Sequence, residues 1–340
     1  MALAETLPRW WYRRGLALPL LPLVPLSWLF GAVAGLRRAA YRSGLRQSER
    51  LRVPVIVVGN LIAGGAGKTP LVLAIAEALK AAGWRPGIIS RGYGVDVAGP
   101  RLVDPEAVLA SSGDEPQLLA RRSGLPVAVC RDRVAAGSFL LAERPETNVL
   151  ISDDGLQHYR LARDVEIAVF DGRGAGNGHL LPAGPLREPL TRLAALDAIV
   201  LNGGDVPENC VSRVGGRVFD MRLKGDSFVS LADPAQHCGA EGLRGKRLHA
   251  FAGIGDPARF FRHLASLGLE VVAHPFPDHH AYAASDFADA ADGVILLTEK
   301  DAVKCAGLIT GEAWVLPVGA ELSPGLIERI LEKIDGRKAA

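Results

Sequence analysis

Gly64, Gly65, Ala66, Gly67, Lys68 and Thr69 form a run whose types and spacing suit phosphate binding. Glycines let successive backbone N–H groups curl inward into an anion-binding nest, a lysine placed after them reaches β- and γ-phosphates, and a following hydroxyl suits Mg²⁺. The pattern G-x-x-x-x-G-K-[ST] is incomplete, because Ile62 stands where its first glycine should fall. The tight part of such a cradle lies in its last six residues, where Gly65 adds a glycine, so the run still reads as a phosphate site. A glycine-rich turn with a surface lysine is the alternative. Asp153 and Asp154 follow the apolar Val149, Leu150 and Ile151, where a metal-holding carboxylate belongs. One of them is expected to hold Mg²⁺ opposite Thr69, although an Asp pair after a strand also suits a helix cap or turn.

These residues need a strand to deliver them and a helix to follow. Val55 to Val58 is a β-branched run suited to a strand buried on both faces, and 70–79 carries Leu, Val, Ile and Ala at helical spacing. Pro70 is tolerated there, since first-turn N–H groups have no intrahelical partner. Farther on, "RPGIIS", "LPVAVC", "TNVLISDD", "DVEIAVFD" and "LDAIVLNG" alternate with helix-like or loop segments. This alternation predicts an α/β fold with a mostly parallel, P-loop NTPase-type sheet. Ligands of such sheets sit beyond the C-terminal strand ends. Residues just after each run are therefore candidates: Arg91 and Tyr93 in "SRGYG", Arg131 to Arg133, Asp171 to Arg173, and Asn202 to Gly204. Guanidinium forks match phosphate oxygens, which makes Arg91 and Arg187 candidate substrate contacts with Tyr93 beside them.

A chain of 340 residues with 49% hydrophobic and 22% charged residues can bury an ample core and suits about two domains. A net charge of +2 gives no reason to expect nucleic acid. Cys130, Cys210, Cys238 and Cys305 are far apart, which argues against a zinc site or disulfide framework. From Gly15 to Leu36 no residue is charged, but Pro19, Pro22 and Pro25 interrupt any continuous helix, so one is expected only from about Pro25. Leu26, Leu29, Phe30 and Val33 on one side, followed by Arg37, Arg38, Arg42 and Arg46, suit a helix in a membrane interface. A transmembrane span, a signal peptide and a plain core helix are the rival readings. The expected organisation is a membrane-associated segment at 1–50, a P-loop core at 51–215, a two-stranded connector at 216–232 made by "RVFDMRL" and "SFVSLAD", and a smaller α/β domain at 233–340, with a cleft between the two α/β units.

"VPVIVVGNLIAGGAGKTP", "SRGYG", "GDEP", "SDDGLQHYRLARD", "LPAGPLREP", "FAGIGDPARFF", "FPDHHAY" and "LLTEKDAVKC", in this order, resemble the tetraacyldisaccharide 4'-kinase family of lipid A synthesis. The resemblance spans about residues 10 to 320, and the family's loop also lacks the first glycine. It implies transfer of the ATP γ-phosphate, with Mg²⁺, to the 4'-hydroxyl of an acylated disaccharide 1-phosphate. It further implies a peripheral or monotopic monomer on the cytoplasmic face of the inner membrane, with the lipid and the membrane surface as partners. By residue it implies Lys68 and Thr69 in their phosphate and metal roles, Asp153 and Asp154 in the metal and nucleotide motif, and Gln157 close behind at the nucleotide. Asp114 of "GDEP" matches the family's proposed base, and His279 of "DHH" its partner, in preference to His280. Two other classes stand beside this one. A P-loop GTPase or metallochaperone is weakened because Lys300 and Asp301 of "TEKD" are adjacent, unlike the spaced pair of [NT]-K-x-D. A non-catalytic membrane-associated nucleotide-binding module would need no "DHH" or "GDEP" at the cleft.

Overall fold

The structure is a computed structural model that describes residues 7, 9–13, 15–92, 99–105, 113–203, 214–305 and 307–336. Tyr93 and Cys210 lie outside the described residues.

The first unit begins with β1 (Val55–Gly59), β2 (Pro86–Ser90), β3 (Arg101–Leu102), β4 (Val127–Val129), β5 (Val149–Asp153), β6 (Val165–Asp171), β7 (Ala198–Asn202) and β8 (Val218–Lys224). Between them run α2 (Lys68–Ala81), α3 (Asp114–Ser123) and α4 (Arg133–Glu143), preceded by the N-terminal α1 (Val24–Arg42). Every residue of β1, β2, β5 and β7 is buried, which explains their unbroken apolar character: helices cover both faces of the sheet. From α2, Leu71, Val72, Ile75, Ala76 and Leu79 enter this core. Each such large aliphatic side chain contributes roughly 1.5–3 kcal/mol by burial.

The second unit contains β9 (Ser227–Ser230), β10 (His237–Gly239), β11 (Leu248–Ala252), β12 (Val271–Pro275), β13 (Val294–Thr298) and β14 (Ala313–Leu316), with α5 (Pro257–Ser266) and α6 (Glu299–Cys305). Its strand order is β10-β9-β14-β13-β11-β12, with β9 and β10 antiparallel at one edge. One face packs Phe228, Leu243, Leu248 and Leu264, the other Phe251, Tyr282, Phe287 and Leu297.

The chain then returns to the first unit. β15 (Gly319–Leu322) pairs antiparallel with β8, and α7 (Leu326–Asp335) buries Leu326, Ile330 and Ile334 in the first core. The first sheet thus has nine strands, β15-β8-β7-β6-β1-β5-β2-β4-β3, parallel except at its two edges. Two expectations are corrected here. The 216–232 stretch is no two-stranded connector, because β8 pairs with β7 and β15 while β9 pairs with β10 and β14. The 233–340 domain likewise ends near Leu316, since the apolar stripe of α7 is buried on the first sheet. Neither was visible in local spacing, because alternation fixes the strand but not its partner.

A short 3-10 helix, Leu18–Leu23, absorbs Pro19 and Pro22 and leads into α1, which carries Pro25 in its first turn. Leu20 is fully buried, and Ser27 anchors α1 by donating to the Leu180 carbonyl and accepting from the Ala183 N–H at 3.3 Å. α1 comes close to the core at Gly31, where a Cβ would lie 2.6 Å from Leu180 Cδ1 and push that side chain aside. The outer side is bare: Trp28 is 70% and Leu36 72% exposed, with Leu26, Leu29 and Val33 alongside them. Among the described residues, then, nothing packs on the outer side of α1, against the plain core reading.

Candidate active site

Strand register assembles the site. Val58 of β1 lies level with Asp153 of β5, Gly59 with Ala168 of β6, and Asp171 with Asn202 of β7. The C-terminal strand ends thus form one rim around the loop from β1 to α2. Three successive carbonyls of that loop are each held by a different side chain: Gly64 O by Asn60 Nδ2 at 2.8 Å, Gly65 O by Arg173 Nη2 at 2.6 Å, and Ala66 O by Asn202 Nδ2 at 3.0 Å. A trans peptide directs the next N–H opposite to the carbonyl. The N–H groups of Gly65, Ala66 and Gly67 therefore point away from these three side chains and are left to other partners. Gly67 must be glycine on two counts: its φ of 92° is left-handed, and a Cβ would fall 2.1 Å from Asn202 Nδ2. The missing first glycine leaves Ile62 fully buried in the core, so the cradle is built from its last six residues alone.

Behind the loop, Lys68 Nζ lies 3.7 Å from Asp154 Oδ1, and Arg187 Nη1 lies 3.1 Å from both oxygens of Asp154. Burial would raise the Asp154 pKa, but these two cations outweigh it and hold the carboxylate low. Asp154 has a φ of 48°, a strained backbone of the kind that functional sites retain. Asp153 is 1% exposed; it accepts from Ser90 Oγ at 3.3 Å through Oδ2, while buried Oδ1 has no hydrogen-bond partner. Burial, then the charge of Glu115, pushes its pKa well above the ordinary carboxylate range. A buried carboxylate with an orphaned oxygen, next in sequence to Asp154, fits a divalent cation. Among the described residues no group of three or more His, Cys, Asp or Glu could hold a metal. Mg²⁺ suits such a place, since it is commonly held by one or two carboxylates with hydroxyl, water and phosphate oxygens.

On the far side of the cleft the second unit supplies His279, in the loop after β12, with a left-handed φ of 62°. Its Nδ1 is 3.1 Å from Oδ2 of Asp114, at the start of α3 in the first unit. Lys300, in α6, lies 3.4 Å from His279 Nε2, 2.9 Å from Glu115 Oε1 and 3.0 Å from Asp278 Oδ1. An ammonium can only donate, so Nε2 accepts and Nδ1–H donates to Asp114. Burial would raise the Asp114 pKa, yet the His279 hydrogen bond and the charges of Lys300 and Lys304 bring it down to about 2. Lys304 Nζ stands 3.7 Å from Asp114 and 3.2 Å from Asp301. These ties commit Lys300 and Asp301 of "TEKD" to the site's framework, which removes the guanine-reading alternative. The two units touch at the cradle as well: a Cβ on Gly255 would lie 2.8 Å from Gly65 N, and Arg173 bridges Gly65 O and Gly255 O while gripping both oxygens of Asp171. Between them lies a cavity of about 400 Å³ lined by Gly67, Lys68 and Thr69 on one side and Ile254, Arg259 and Phe260 on the other.

The other sequence candidates are dispersed around this centre. Arg91 is exposed at the end of β2. Gln157 donates its amide to Glu188 Oε1 at 2.9 Å and to Asn60 O at 3.3 Å, so it braces the loop's base instead of reaching into the cavity. His280 is turned aside to Asp286 at 3.1 Å. Sequence reasoning passed over Lys300, Lys304 and Arg259. The signal for Arg259 was "GDPARFF"; for the lysines it was "TEKD", weighed only against another motif.

The profile of the tetraacyldisaccharide-1-P 4'-kinase family matches residues 20–335. The chain belongs to that family. It is 55% identical to the tetraacyldisaccharide 4'-kinase of Dechloromonas aromatica over 99% of this chain and 100% of the relative, and 52% identical to that of Azoarcus sp. over 98% and 97%. A crystal structure of LpxK from Aquifex aeolicus, described as an "apo" form in complex with ATP, superposes with a TM-score of 0.78 at 31% identity, covering 93% of this chain and 100% of that one. The α/β fold with mostly parallel sheets is thus the family's own, and the chain is a kinase of lipid A biosynthesis.

Proposed function

We infer that the chain transfers the γ-phosphate of ATP to the 4'-hydroxyl of a tetraacyldisaccharide 1-phosphate at the cytoplasmic face of the inner membrane. The observation that supports this reading is that the cleft lined by Gly67, Lys68 and Thr69 is lined also by Glu115, Asp278 and Lys300, the immediate neighbours of the Asp114–His279 pair formed between the two units. The nest and Lys68 hold the β- and γ-phosphates, with Lys68 exchanging Asp154 for the nucleotide. Thr69, Asp153 and Asp154 are the residues that would hold Mg²⁺, which when bound neutralises charge on phosphate oxygens. Arg187 stands beside Asp154 and would be free to meet phosphate oxygens if that carboxylate held Mg²⁺. Arg91 is retained as a substrate contact, and Tyr93 as its sequence-level neighbour.

Asp114 accepts the hydrogen bond of the attacking hydroxyl. A carboxylate with a pKa near 2 is a weak base, but a loose phosphoryl transition state needs only late proton removal, and orientation is the larger contribution. His279 fixes Asp114, and Lys300 fixes the tautomer of His279. Closure of the two units excludes water, which would otherwise compete as acceptor.

The bare apolar side of α1 supports a monotopic placement. Among the described residues one segment, Leu18–Arg42, is long and apolar enough to cross a membrane and is mostly unburied, but its inner side is tied to the core through Ser27 and Gly31. An acylated substrate stays in the bilayer, and a helix lying in the interface brings the cleft to it.

Transfer of label from γ-labelled ATP to disaccharide 1-phosphate in neutral-detergent micelles tests the reading. Lipid-dependent label that Lys68→Ala reduces by roughly 10²-fold or more is expected. Nucleotide hydrolysis with no label on the lipid at any acceptor concentration would overturn it.

A further inference from the structure

The N-terminal segment ahead of α1 reaches across to the phosphate loop. Trp11 donates its indole N–H to Pro182 O at 2.9 Å, and its carbonyl accepts from the Asn177 N–H at 2.7 Å. The crossing is close, since a Cβ on Gly176 would lie 2.7 Å from Trp11 O. These contacts set the Tyr12 ring against the guanidinium of Arg173, with its centroid 4.9 Å from Cζ, and bring the Tyr12 hydroxyl to 3.5 Å from Ala63 O.

Arg173 is thus held on a face, and its edges are held as well. Nε donates to the two oxygens of Asp171 at 3.1 and 2.9 Å, and Nη2 donates to Asp171 Oδ2 at 2.6 Å. Further N–H groups point at the phosphate loop and the second unit: Nη2 to Gly65 O at 2.6 Å and Nη1 to Gly255 O at 3.4 Å. A guanidinium is a rigid planar fork, so it meets Asp171, Gly65 and Gly255 together in one plane. An aromatic ring stacked on the cation holds that plane. The loop depends on it. With Gly65 O held, the trans peptide turns the Ala66 N–H to the opposite side, and glycine at position 65 offers little resistance of its own to rotation.

We propose that Arg173 and Tyr12 are positioning residues for the phosphate loop: Arg173 fixes the Gly65–Ala66 peptide against the second unit, and Tyr12 fixes Arg173. Nucleotide affinity then depends on the N-terminal segment being in place, so the segment that leads into α1 is part of what holds the ATP site in shape. The inference rests on the nucleotide site of the function proposed above and not on its acceptor.

The test measures Kd for ATP with Mg²⁺ and without acceptor, on full-length Tyr12→Leu, Arg173→Gln and the double variant. KM for ATP, KM for the lipid and the thermal midpoint are recorded alongside. Tyr12→Phe serves for rescue, and Arg173→Lys, which keeps the charge but not the fork, replaces Arg173→Gln if that variant does not fold. Loss of a stacked ring is worth about 3- to 30-fold, and loss of a charge-assisted hydrogen bond about 10-fold or more. Tyr12→Leu is therefore expected to raise Kd and KM for ATP about 3-fold or more and the Arg173 variant about 10-fold or more, with KM for the lipid within about 2-fold. Tyr12→Phe keeps the ring and is expected to bind ATP as the wild type does. Because Tyr12 acts through Arg173, the double variant is expected to be no worse than the Arg173 variant alone. Losses that multiply in the double variant, or a Tyr12→Leu protein with a lowered midpoint and unchanged ATP affinity, would overturn the proposal. A rise in KM for the lipid with Kd for ATP unchanged would assign Tyr12 to the acceptor and overturn it equally. If the variants bind ATP as expected while the wild type transfers no label to the lipid, the kinase reading falls and the positioning role stands.

Discussion

Asp114 shows how a single residue joins stability to chemistry. Its pKa falls from an ordinary value to about 2, so its hydrogen bond with His279 and the nearby charges of Lys300 and Lys304 contribute stability that is fully present above about pH 4 and is lost as pH falls toward 2. The shift corresponds to about 2 kcal/mol, and Asp114→Asn is expected to flatten the acid limb of an unfolding curve recorded between pH 5 and pH 2. Retention of the full acid dependence in the variant would show that other carboxylates carry it. Lys300 acts one step farther out, touching His279, Glu115 and Asp278 without reaching the nest. We expect Lys300→Met to lower kcat about 10-fold or more while leaving ATP affinity within a few-fold, since it frees the His279 tautomer. An equal loss in both would assign Lys300 to the nucleotide instead.

Among the elements, the β1–α2 unit was the most legible: its β-branched strand, glycine turn, Lys-Thr and helix occur in sequence order and need no distant partner. The start of α1 near Pro25 was legible for the same reason, because proline acts locally. Its environment was not, since an apolar stripe suits either a core or a bilayer, and only the exposure of Trp28, Leu29, Val33 and Leu36 separates them. Placing charge there tests the interface placement. Leu29→Asp with Val33→Asp is expected to shift the protein from the membrane pellet to the supernatant in fractionation, at roughly tenfold weaker partitioning or more per residue, while the thermal midpoint stays within a few degrees. Loss of fold with unchanged partitioning would return α1 to the core reading.

At the scale of the molecule, the site exists because two α/β units meet. β15 and α7 return to the first sheet after the second unit is complete, so both ends of the second unit are joined to the first. That return was hidden from the sequence because strand pairing across so long a separation leaves no local periodicity, and the same holds for β8. The hydrogen bonds of Gln157 to Glu188 and of Lys300 to His279 were hidden for a related reason, since only the fold brings these partners together. Asp114 and His279 are 165 positions apart and could be joined beforehand only through the family's motifs.

The central claim is that Asp114 and His279 act as one unit across the cleft. A double-mutant cycle on single-turnover phosphate transfer, using Asp114→Asn, His279→Gln and both together, tests it most directly. Each single change is expected to cost about 10²-fold, and the double no more than the worse single, as for groups that work as a unit. Independent losses that multiply to about 10⁴-fold would contradict the account.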